Sequence, residues 1–74
     1  MFTIQYETVS GEHKMQAFDS NSRAKLLTVL AHFNRPIVAV YEQASPITKT
    51  VRKELAAWPG GKSDAARAFI KTPA

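Results

Sequence analysis

The pentapeptide IVAVY, residues 37 to 41, is β-branched and apolar on both faces. Such a run marks a strand in the middle of a sheet or one covered twice, because each face left in water would expose apolar side chains. It demands neighbours and cover from a chain of only 74 residues that has no cysteine. That length encloses one hydrophobic core. A core of this size contributes only about 3–5 kcal/mol, and with disulfides and thiolate metal sites excluded, close packing or a partner subunit must supply the rest. The missing cysteine fits a reducing cytosol. No apolar run approaches the roughly 20 residues of a membrane span, and MFTIQYETVSGE lacks the regions of a signal peptide. The expectation is a soluble cytoplasmic protein with one domain over residues 1–74. Residues 1–62 would be its core and 63–74 a short helical turn and a loose tail.

Two segments offer IVAVY its neighbours. FTIQYETV alternates, with Phe2, Ile4 and Tyr6 on one side and Thr3, Gln5 and Glu7 on the other, which is the pattern of a half-buried strand. Ser10-Gly11 follows as a candidate two-residue hairpin turn. That loop sets Tyr6 opposite Met15 and Glu7 opposite Lys14, and keeps Tyr6, Met15, Ile4 and Ala17 on one face; a one-residue slip would turn the second strand's apolar set outward. DSNS, residues 19–22, supplies capping residues for a helix in RAKLLTVLAHFN. In that helix Leu26, Leu27, Leu30 and Phe33 form a broad apolar arc, and Lys25, Thr28 and His32 form the wet stripe. Strand one between strands two and three gives the order 2-1-3 with antiparallel neighbours.

Ser45-Pro46 reads as an N-cap followed by proline at the first helical position. Beyond it Ile47, Val51, Leu55 and Trp58 lie on one helical arc, with Lys49, Arg52 and Lys53 opposite; a strand over residues 47–52 is the competing reading. Pro59-Gly60-Gly61 ends the helix, and Ser63 can cap another turn. The predicted fold is thus α+β, in the order ββαβα. It has a three-stranded antiparallel sheet, one buried helix and one basic amphipathic helix.

The charge is uneven. Residues 1–34 hold three basic and three acidic side chains, 3 − 3 = 0, whereas residues 35–74 hold seven against three, 7 − 3 = +4. This points to an anionic partner for the second half. Lys49, Arg52 and Lys53, extended by Lys62 and Arg67 and in outline by Lys71, form the candidate phosphate- or partner-binding set. Val9, Phe18, Val38 and Val40 form a candidate apolar interface. It would be exposed if both helices pack on one side of the sheet, and a homodimer or a target protein would then cover it.

Catalytic chemistry is poorly represented. Gly61-Lys62-Ser63 matches the end of a phosphate-binding loop, but its first glycine would fall at Ala56 inside a helix. His13 and His32 have no clustered ligands, and the six carboxylates are scattered. No metal, cofactor or small-molecule substrate is expected. The function expected is a non-enzymatic module whose basic second half contacts nucleic-acid phosphates. In layout the chain also resembles the small, cysteine-free accessory proteins of phages and mobile elements, anti-CRISPR inhibitors among them. That resemblance implies the alternative, a protein-binding inhibitor acting on an acidic or nucleic-acid-binding host protein.

Overall fold

A computed structural model of the protein describes residues 1–71. The loose end expected for residues 72–74 lies outside these described residues. The fold is α+β, with a four-stranded antiparallel sheet and three helices. The strands are β1 (Phe2–Glu7), β2 (His13–Phe18), β3 (Ile37–Glu42) and β4 (Ser45–Pro46), and the helices are α1 (Arg23–Ala31), α2 (Thr48–Ala56) and α3 (Asp64–Lys71). The sheet order is β2-β1-β3-β4, so the expected 2-1-3 arrangement is present with one strand added.

That fourth strand corrects the reading of Ser45-Pro46 as a helix start. Tyr41 pairs with Pro46 and Glu42 with Ser45 across a turn at Gln43 and Ala44. Gln43 has φ 57°, a left-handed conformation costing a side-chain-bearing residue about 1–2 kcal/mol, and no glycine or asparagine announces the turn. β4 gives β3 its second neighbour, so IVAVY does lie inside the sheet. α2 starts at Thr48, with Ile47 in the cap position and no side-chain cap. Thr48 ties the helix start to the sheet: its hydroxyl oxygen accepts from the Val40 N–H at 3.1 Å, beside the bond from Ile47 N–H to Val40 O.

The β1–β2 register also differs from expectation. Phe2 pairs with Phe18, Gln5 with Met15, Tyr6 with Lys14 and Glu7 with His13, one residue away from the register a two-residue turn would give. The loop has three residues, Val9, Ser10 and Gly11, closed by Gly11 N–H to Thr8 O and Thr8 N–H to Glu12 O. Gly11 takes φ 86°, the left-handed residue that such three-residue loops need. The slip turns Met15 and Ala17 outward and Phe18 inward, where its ring lies 5.7 Å from that of Phe2. A large aromatic is thereby packed at the cost of a methionine and an alanine left at the surface.

Both long helices otherwise follow their patterns. Ser22 caps α1 by accepting from Lys25 N–H, and Leu26, Leu27, Leu30 and Phe33 are all buried. Val51 and Leu55 of α2 are buried, with Ile47 and Trp58 packed at the margin. The core, however, does not stop at residue 62. Ala66 and Phe69 of α3 join the same cluster as Phe2, Ile4, Ile37 and Val40. Ser63 fastens α3 in place: its N–H donates to Ala31 O at 2.7 Å, and its hydroxyl donates to Phe33 O at 2.6 Å and accepts from Ala66 N–H at 3.1 Å. One side chain thus serves the end of α1 and the start of α3.

If α3 is a core element, Phe69→Ala destabilises the protein by about 3–5 kcal/mol, measured by urea unfolding. An unchanged midpoint would make α3 a detachable appendage.

Candidate functional site

α2 and α3 form a helical hairpin over the sheet, and residues 48–71 carry six basic side chains against Glu54 and Asp64, 6 − 2 = +4. That equals the net charge of the whole chain. The two acids are occupied. Arg23 reaches across from α1 to Glu54 at 2.7 Å, with Glu42 at 3.4 Å, and Arg67 pairs with Asp64 within α3. What remains on the hairpin is Lys49, Arg52, Lys53, Lys62 and Lys71.

These five differ in freedom. Arg52 Nε donates to Phe69 O at 3.0 Å, and its guanidinium lies 4.9 Å from the centre of the Phe69 ring. Phe69 O belongs to the last turn of α3, where carbonyls lack helical partners and the helix dipole favours a cation. Lys62 Nζ donates to Trp58 O at 2.7 Å in the same way, just past the end of α2. Lys49, Lys53 and Lys71 are exposed, and their side chains have no hydrogen-bond or ion-pair partner among the described residues. Lys49 and Lys53 stand one helical turn apart on the outward stripe of α2, and an open hollow of about 320 Å³ runs along Lys49, Thr50, Arg52 and Lys53. Bonds from Arg52 and Lys62 to neutral carbonyls fix those cations without cancelling their charge. The expected set is therefore together on one hairpin, except that Arg67 is compensated by its own helix.

Two residues of the Gly61-Lys62-Ser63 tripeptide have structural uses. Lys62 and Ser63 are held by Trp58, Ala31 and Phe33. His13 Nε2 lies 3.8 Å from Glu7 Oε1 across the hairpin, and His32 is exposed at the end of α1. Among the described residues no group of three His, Asp or Glu side chains is placed to hold a metal ion.

The apolar set does not form one surface. Val40 is fully buried and Phe18 packs against the core, both on the helix-covered face of the sheet. Val38 falls where the β1–β3 register shifts and is 37 % exposed, while Val9 is 90 % exposed at the hairpin turn. The one-residue slip in β2 accounts for Phe18, and the β1–β3 register, which sets Val40 opposite the buried Ile4, accounts for Val40. The condition behind the set is nonetheless met, since all three helices lie on one side. The open face is made instead by Thr3, Gln5, Met15, Ala17, Ala39 and Tyr41, with Met15 60 % exposed. A hollow of about 220 Å³ lies there among Thr3, Met15, Tyr41, Gln43 and Ala44. None of the helices is long and apolar enough to cross a membrane.

Comparison with protein-family models, with curated proteins and with solved structures finds no match in any of the three.

The division between held and free cations predicts unequal effects on stability. Arg52→Ala costs about 1–3 kcal/mol in urea unfolding, because a charged hydrogen bond and a ring contact are lost together. Lys49→Ala and Lys53→Ala stay within about 0.5 kcal/mol of the parent. Equal costs at all three positions would contradict the division.

Proposed function

We propose that this protein is a small, non-enzymatic binding module whose α2–α3 hairpin contacts the phosphates of a nucleic acid. The supporting observation is the uncompensated charge of that hairpin: the side chains of Lys49, Lys53 and Lys71 are exposed and have no partner among the described residues, and Arg52 and Lys62 keep their charge while held to carbonyls. Fixed cations lose little side-chain freedom on binding, and free lysines follow an irregular backbone. Each phosphate contact releases condensed counterions, so affinity falls steeply as salt rises. The open sheet face is a weaker candidate: Thr3, Gln5, Met15, Ala17, Ala39 and Tyr41 are uncharged, and His13 there is paired with Glu7.

An electrophoretic shift of a labelled oligonucleotide at low salt tests the proposal. The parent protein retards it, with a dissociation constant that weakens to about 10⁻⁴ to 10⁻⁶ M at physiological salt, and Lys49→Glu combined with Lys53→Glu weakens binding at least tenfold, by roughly the counterion effect of two contacts plus their repulsion. Absence of a shift with the folded parent protein at low salt overturns it. An acidic protein surface would then be the remaining partner for the same hairpin.

A further inference from the structure

We infer that the nucleic acid taken by this hairpin is double-stranded and is held by its backbone alone; the inference rests on the phosphate-binding proposal. It follows from where the protein has placed its aromatic rings. The chain has seven. Phe2, Phe33 and Phe69 are buried, and Tyr6 and Phe18 pack edge-on or tilted against Phe33 and Phe2. Trp58, just past the end of α2, is partly buried against the core. Tyr41 is on the open side of the sheet, the layer away from the hairpin. The one ring in direct contact with a hairpin cation is Phe69, which is 2 % exposed and lies against Arg52. No ring beside Lys49, Lys53 or Lys71 is left to receive an unpaired base.

Proteins that hold single strands draw about 1–3 kcal/mol per base from stacking on aromatic side chains. Without that contribution only the electrostatic part is left, and a duplex offers the denser charge, about one per 1.7 Å of axis. Counterion release per contact is correspondingly greater, with a slope of about −0.9 against about −0.7 for a single strand. Base reading is equally unsupported. Arg52, the hairpin's uncompensated guanidinium, already donates to Phe69 O and lies over its ring. α2 buries Val51 and Leu55 in the core and packs beside α1 and α3, so only its outward stripe meets a ligand. A helix held in this way rides on the backbone instead of entering the major groove.

Fluorescence anisotropy with one labelled duplex, each of its strands alone and a second duplex of unrelated sequence, over a salt series, separates the outcomes. The expected result is binding about three- to tenfold tighter to the duplex than to either strand at low salt, nearly equal for the two duplexes, with a log–log salt slope of about −3 to −4. Lys49→Glu with Lys53→Glu should reduce the steepness of that slope by about 2. Equal or tighter binding to a single strand overturns the duplex inference and leaves the phosphate proposal standing. A preference of more than about tenfold between the duplexes shows base readout and overturns the backbone-only inference. Failure of every probe to bind overturns the phosphate proposal and this inference with it.

Discussion

Everything in this fold depends on there being enough helical surface to close only one face of the sheet. The helices have nine, nine and eight residues, and each turns its apolar side chains to a single cluster with Phe2, Ile4, Ile37 and Val40. A chain of this length has no second core to build. One-sided closure has two results. The second side of the sheet stays open around Met15 and Tyr41, and the helices, covered beneath, face outward with whatever charge they carry. The register of β2 belongs to the same constraint. Moving Phe18 under the helices adds a large ring to a thin core, and the methionine and alanine displaced by the slip go to the side that no helix covers.

The charge of the α2–α3 hairpin persists because of how its cations are bonded. An arginine facing a carboxylate contributes little to the distant field, which is the situation of Arg23 and Arg67. Arg52 and Lys62 instead donate to Phe69 O and Trp58 O, carbonyls at or beyond helix ends, where intrahelical donors run out. The same two bonds hold the hairpin together and keep its positive potential. Stability and charge are therefore not in opposition here. The free lysines add to a field that the structural cations already provide.

Much of this was legible in the residue pattern, and what was not has identifiable causes. The strand at IVAVY, the alternation of FTIQYETV, the Ser22 cap, the leucine arc of α1 and the Val51–Leu55 stripe all follow from local periodicity, which neighbouring elements did not override. β4 was hidden because Ser45-Pro46 suits a helix start as well as an edge strand, and because Gln43-Ala44 does not look like a turn. The hairpin register was misplaced because Gly11 fits both a two- and a three-residue loop, and only tertiary burial of Phe18 chooses between them. The extent of α3 is hidden from the sequence for a similar reason. Its docking relies on Ser63 meeting Ala31 and Phe33, thirty residues distant in the chain for the latter, and no local signal carries such a contact. At the site, the basic residues could be named from sequence, but which were held and which were free depended on partners from other elements.

The most direct test of the account is to follow backbone amide resonances while a short DNA duplex is added at low salt. Shifts are expected to concentrate at Lys49 to Lys53 and at Lys71, with the resonances of Thr3, Met15 and Tyr41 unmoved. Shifts confined to the open sheet side, or none at any residue, would contradict it.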